Sequence, residues 1–264
     1  MLHTDGDDAR LVLIHPIANN RHSWQLLELD DFAHPPVVYY EMPGHGDKPR
    51  QPEMTTAWMA DQLVEEFDGP LHLLGIAVGA FVALNALVRH PERIRSAVLV
   101  NGGPGGVSNP AARQTLIERG QSAVSTGMAA VVDETFGRWF TPYAQQTNPP
   151  GVQIARQILV DMDPRAWADI WRANAVSEPV PAERIASVTQ PVSLVVGTND
   201  AAGVLGLSAR MHELIPTSRL QYVPGPHMIH LERPRSLSSA IDHHFTWLRV
   251  SACRVESPLY YAGE

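Results

Sequence analysis

Two glycines four residues apart, Gly75 and Gly79, place the tightest constraint on what this chain can fold into. They follow the short apolar run Leu71-His72-Leu73-Leu74 and open the small-residue run Ala80 to Arg89. A strand that turns at once into a helix brings backbone against backbone, and glycine leaves room for that approach. A lone G-x-x-x-G also reads as close helix packing; the strand before it and the helix after it favour the turn. Between the glycines stands Ala77. In the G-x-S-x-G form of such a turn this position holds a nucleophilic serine, and alanine has no hydroxyl.

The rest of the chain repeats the alternation of strand and helix. Arg10 to His15, Val37 to Glu41, Leu71 to Leu74, Ile94 to Val100, Val192 to Val196 and Leu220 to Val223 are short apolar runs bounded by turn residues. That pattern predicts parallel strands covered on both faces. Helical stretches are predicted over Thr55 to Phe67, where threonines can cap, and over Ala80 to Arg89, Leu205 to Leu214 and Pro234 to Leu248. The expected fold is α/β, a mostly parallel sheet flanked by helices. From Gly103 to Arg184 there is no strand signal, and the stretch is too long for a loop in a compact domain. It reads as an inserted helical cap over 103–184, broken at Pro149-Pro150, with 1–102 and 185–264 forming the core.

Composition excludes several function classes. Of 264 residues, 44% are hydrophobic and 18% charged, and the formal net charge is -8 with no basic run. A nucleic-acid partner needs a concentrated positive face that this chain lacks. No apolar run is long enough for a bilayer, and the first residues are acidic and polar, unlike a signal peptide. A cytoplasmic setting is expected. The single cysteine, Cys253, allows no internal disulfide and reads as an unreactive tail residue. No spacing of His, Cys and carboxylates suggests a metal, and no cofactor is expected.

Acyl-transfer chemistry requires a nucleophile, a base, an acid that orients the base, and donors for an oxyanion. Ala77 holds the nucleophile position. Asp200 follows the strand ending at Val196 and stands at the sheet edge where sites of open α/β folds form; it reads equally as a helix cap. His227 lies in the loop after the last strand, with His230 as its rival among twelve histidines. Leaving the first strand is His15-Pro16-Ile17. Pro16 has no N–H, so Ile17 is one candidate oxyanion donor, and Val78, next to the turn centre, is the other. Trp139, Phe140, Met162, Trp167, Trp171 and Met228 are candidates to line an apolar pocket; the aromatic ones read equally as the cap's own core. His45 reads as structural, and His243-His244 as a solvated helical face, since neighbouring helical residues point apart.

With these residues assembled, the chain resembles the α/β-hydrolase superfamily over most of its length. Within it, the look is closest to small esterases and lactonases of the 3-oxoadipate enol-lactonase type. Met42-Pro43-Gly44-His45-Gly46-Asp47 is similar to that group's P-G-H-G-x-S loop. Gly225 to Pro234 is similar to its G-H-x-x-H-L-E-x-P loop, and Arg138-Trp139-Phe140-Thr141-Pro142 to its W-F-T-P cap opening. The resemblance implies hydrolysis of a small-molecule or peptide ester or lactone without a cofactor, and it favours His227 over His230 as the base and Asp200 as the acid. It departs from the pattern at Ala77, at Pro16 and Pro226 where glycines are common, at Asp47, and in the short stretch before Arg10. Three readings follow: a serine hydrolase whose nucleophile was exchanged for alanine, an enzyme using Asp200 and His227 for proton transfer (an isomerase or epimerase in a natural-product pathway), or a ligand-binding pseudo-enzyme.

Overall fold

The computed structural model describes residues 8–29 and 34–256, the last five by backbone alone. Met1 to Asp7 and the side chain of Cys253, both read above, lie outside the described residues. Six strands form one all-parallel sheet in the order β2-β1-β3-β4-β5-β6: β1 Arg10–Ile14, β2 Val37–Tyr40, β3 Leu71–Ile76, β4 Ile94–Val100, β5 Val192–Gly197 and β6 Ser218–Val223. Successive side chains alternate between faces. Val12, Ile14, Leu73, Ala97, Leu99 and Leu194 pack toward one layer of helices, and Leu11, Leu13, Leu74, Ile76, Val98 and Val195 toward the other.

On the first face lie α1 (Thr56–Glu66) and α2 (Val78–Arg89). Thr55 caps α1, its side chain accepting from the Trp58 N–H at 3.1 Å. Buried on nearly every side, α2 is built of small residues because a helix wedged under a sheet needs them. Between β4 and β5 run α3 (Pro110–Thr126), α4 (Val132–Trp139), α5 (Pro142–Thr147), α6 (Pro150–Asp161), α7 (Pro164–Val176) and α8 (Ala182–Ala186), with no strand among them. The Pro149-Pro150 break falls between α5 and α6, where Pro150 takes the first helical position and needs no N–H partner. After β5 comes α9 (Ala202–Leu214), and after β6 come α10 (Ile229–Glu232) and α11 (Pro234–Glu256). None of these helices is long and apolar enough to cross a membrane.

One expectation is corrected. His243 is exposed, but His244 is buried against the sheet, because adjacent helical residues point about 100° apart and α11 turns one of the pair inward. His244 Nε2 is hydrogen-bonded to Ser96 at 2.8 Å and Nδ1 to Ser193 at 2.7 Å, and Ser96 in turn meets His72 at 2.7 Å.

The turn from β3 into α2 is fixed by backbone contact. A Cβ on Gly75 would stand 2.2 Å from the Gly79 carbonyl oxygen, and one on Gly79 would stand 2.2 Å from the carbonyl oxygen of Ile14 on β1. Both neighbours are main chain and cannot swing aside. Gly79→Ala should therefore lower unfolding stability by about 3 kcal/mol or more, at or beyond the upper end of ordinary overpacking. Gly206→Ala in α9, where a Cβ meets nothing within 4 Å, should raise it by about 0.5–1 kcal/mol. Urea unfolding of the two variants checks both signs.

Candidate active site

All the positions singled out for chemistry leave the C-terminal edge of the sheet. Ile17 follows β1, Ala77 follows β3, Asp200 follows β5 and His227 follows β6. Ala77 holds φ 52°, ψ -113°, a sparsely populated region that costs about 1–3 kcal/mol for a residue with a side chain. Its N–H donates to Val100 at 2.9 Å, and its carbonyl accepts from Ala80 at 3.0 Å and Phe81 at 3.2 Å. The turn is thus held open from both ends although it presents a methyl group. Val78 is the first residue of α2, where the backbone N–H has no acceptor within the helix.

His227 and Asp200 meet. The His227 Nδ1–H donates to Asp200 Oδ2 at 2.7 Å, and Asp200 Oδ1 accepts from the Ala201 N–H at 2.6 Å. The Asp200 side chain is only 3% exposed and that of His227 21%. With the proton fixed on Nδ1, Nε2 of a neutral ring carries the basic lone pair. His230 has no such acid: it is wholly buried against Trp24, ring centroids 5.0 Å apart, and neither ring nitrogen has a partner. Burial, followed by the neighbouring His15 and His227, pushes its pKa down to about 3.

Two further histidines hold the loop that carries Ile17. His45 Nε2 accepts from the Ala18 N–H at 3.1 Å while its Nδ1–H donates to the Pro43 carbonyl at 3.1 Å. His15 Nε2 accepts from the Met42 N–H at 3.1 Å, and its Nδ1–H donates to the Pro16 carbonyl at 2.9 Å. An N–H can only donate and a carbonyl only accept, so both rings are neutral with the proton on Nδ1. Burial takes His15 down to about 4, and burial with the nearby His15 takes His45 to about 3. The Asn19 side-chain amide donates to the Ile17 carbonyl at 3.1 Å and the Asn19 N–H to Pro16 at 3.3 Å. These bonds occupy the N–H groups of Ala18 and Asn19 but not that of Ile17.

The segment after His227 is tied to the inserted helices. The Met228 N–H donates to the Trp139 carbonyl at 3.1 Å. Glu232 accepts from the Thr141 N–H at 2.9 Å and the Thr141 hydroxyl at 2.8 Å. The W-F-T-P and H-L-E stretches are therefore a mated pair.

The remaining positions divide. Met228, Trp139, Phe140 and Trp167 are buried, with Phe140 set edge-on to Phe136 at 5.1 Å and Trp167 edge-on to Trp171 at 5.5 Å. Trp171 is partly buried against the same core. Met162 lines a cavity of about 730 Å³ between the loops after β1 and β2 and helices α6 and α7. Asn19, Lys48, Arg50 and Gln157 share that lining, whereas Ala77, Asp200 and His227 do not. No group of three or more metal-ligating side chains occurs among the described residues.

Sequence reasoning missed Asn101. It is buried, and its side chain bonds to the His227 segment and to Gly197 at once. Its one signal is that a polar residue follows the apolar run of β4 directly, at the edge where the other site residues stand.

The model of a family described as the alpha/beta hydrolase family matches residues 11–240. A pimeloyl-[acyl-carrier protein] methyl ester esterase of Neisseria meningitidis is 37% identical over 90 residues, 34% of this chain. That match spans only 35% of the esterase's own length. The 3-oxoadipate enol-lactonase 1 of Acinetobacter baylyi is 23% identical over 206 residues, covering 75% of this chain and 74% of the lactonase. Among solved structures, the enol-lactonase of Burkholderia xenovorans superposes with a TM-score of 0.81 at 20% identity, covering 92% of this chain and 94% of that one.

Four buried imidazoles make the fold acid-sensitive. His15, His45, His230 and His244 have folded pKa values of about 4, 3, 3 and 3, chiefly through burial, against about 6.5 in an unfolded chain. Below that value the unfolded chain binds more protons than the folded one. Stability from these groups is complete above pH 6.5 and is lost as the pH falls toward about 4. Where all four differ, the slope approaches about 5 kcal/mol per pH unit. Urea midpoints measured from pH 7.5 to 4.5 should fall steeply below pH 6, and a flat profile would contradict this picture.

Proposed function

We propose that this chain, which belongs to the alpha/beta hydrolase family, holds the carbonyl of a small ester or lactone in a site complete except for its nucleophile. In this reading His227 is the base, Asp200 orients it, and the N–H groups of Ile17 and Val78 receive the developing oxyanion. Residues 103–184 act as the cap. The reading requires neither metal nor cofactor.

One observation carries it. The 2.7 Å bond between His227 and Asp200 coexists with a turn that keeps its strained backbone without a hydroxyl to present. Each part has a use only alongside the others: a base needs a proton to take, and the strained turn aims the Val78 N–H at a carbonyl oxygen. With serine at position 77, His227 Nε2 would take the hydroxyl proton as the oxygen attacks the carbonyl, then return it to the leaving group. With alanine that covalent step is missing, and loss of a triad nucleophile costs about 10⁶-fold in kcat in a measured precedent.

The same observation favours a second reading. In it His227 Nε2 takes a proton from the carbon next to a bound carbonyl, and the N–H groups of Ile17 and Val78 hold the resulting enolate. The proton then returns to carbon on either face, giving isomerisation or epimerisation.

Ala77→Ser assayed on activated esters and small lactones separates the two. The first reading expects turnover about 10³-fold or more above the unmodified chain, abolished by adding His227→Ala. An inert but folded Ala77→Ser variant, together with His227-dependent deuterium uptake from solvent into a carbonyl compound by the unmodified chain, would replace the first reading by the second.

A further inference from the structure

The last residue of β4 and its successor bond to the turn at Ala77, to the His227 main chain and to the turn that carries Asp200. Val100 accepts the Ala77 N–H at 2.9 Å and so holds the turn. Asn101, next in the chain, reaches the His227 segment directly and Asp200 through Gly197. Its side-chain amide donates to the His227 carbonyl at 2.8 Å and to the Pro226 carbonyl at 3.2 Å. Its Oδ1 accepts the Gly197 N–H at 2.8 Å, and its own N–H donates to Val195 at 2.9 Å. Gly197 in turn accepts the Asp200 N–H at 3.0 Å, closing the turn that carries the carboxylate. The backbone of Asn101 lies at φ 47°, a left-handed conformation that asparagine tolerates better than most residues.

We propose that Asn101 is a positioning residue, setting the distance of His227 from Asp200 and of both from the turn at Ala77; this rests on the reading of His227 as the base. The requirement is specific. One side chain must donate to two carbonyls on one side and accept an N–H on the other, within 2% exposure. Aspartate keeps only the acceptor and turns a negative oxygen toward the carbonyls. Aliphatic residues supply neither, leaving buried polar groups unpaired. Asn101 touches the His227 main chain, not its ring, so it acts through where the ring is mounted. The ring is then steered by Asp200. A shift of about 1 Å in such a mounting can cost about 10²-fold in rate.

The test reads the His227–Asp200 bond itself. A proton held between Nδ1 and a carboxylate gives an NMR signal far downfield of the amides, assigned by its absence in His227→Ala. The unmodified chain should show it. Asn101→Gly removes both side-chain arms without straining the left-handed backbone, and Asn101→Asp keeps only the arm to Gly197. Both variants should lose the signal or exchange it far faster with solvent, while their circular dichroism stays native. An unchanged signal and exchange rate in folded Asn101→Gly would overturn the proposal, as would its absence from the unmodified chain. Should Asn101→Gly not fold, Asn101→Asp decides by the same reading. In an Ala77→Ser background, kcat should fall about 10²-fold with KM held within about threefold. An inert Ala77→Ser variant whose signal still depends on Asn101 would remove the hydrolytic reading and leave the positioning role standing.

Discussion

The contact of Gly79 with the end of β1 is the constraint from which the site is built. It seats the first turn of α2 directly on main chain, so the residue between β3 and that helix has no relaxed conformation open to it. Ala77 takes φ 52°, ψ -113° because Gly75 and Gly79 pack backbone on backbone around it, and because Val100 holds its N–H. The strain is a property of the frame and not of the side chain. That is why alanine holds this strained conformation without the turn unwinding, and why Val78 begins α2 directly after it.

Around that turn the parts are held by main-chain and buried polar contacts rather than by surface charge. His15 and His45, both neutral, pin the loop of Ile17 to the loop after β2. Asn101 ties the exit of β5 to the segment of His227. Met228 and Glu232 tie that segment to Trp139 and Thr141 of the inserted helices. The ion pair of Arg21 with Asp47 sits at the surface, where such pairs contribute little; Asp47 therefore marks a tolerated departure and not a structural need. The buried polar contacts aim particular atoms, and the apolar layers on either face of the sheet supply most of the cohesion.

Much of this was legible in the residues. The strands were readable because a sheet covered on both faces leaves unbroken apolar runs, and β4 agrees end for end. β6 begins two residues before the apolar run at Leu220, because it lies at the sheet edge and its first residues, Ser218 and Arg219, are polar although paired with β5. α11 runs past the expected end at Leu248 to Glu256, since neither glycine nor proline interrupts it before Pro258. The order Ala77, Asp200, His227 was also legible, as each follows a strand. What distinguishes His227 from His230 in the fold is which of them reaches a carboxylate, a relation across 27 residues that no local pattern contains. Asn101 escaped for the same reason: its partners lie 96 and 126 residues away, and Asn-Gly-Gly by itself reads only as a turn.

In the proposed hydrolytic reading, one oxygen atom at position 77 separates this site from an acyl-transfer site. Reacting Ala77→Ser with a fluorophosphonate, followed by mass spectrometry of the peptides, tests that most directly, because stable labelling requires a hydroxyl, a base and oxyanion donors in working register. The account predicts a phosphonylated residue 77, no label at that position in the unmodified chain, and none when His227→Ala is added. A folded Ala77→Ser protein that stays unlabelled, or that labels equally well without His227, would contradict it.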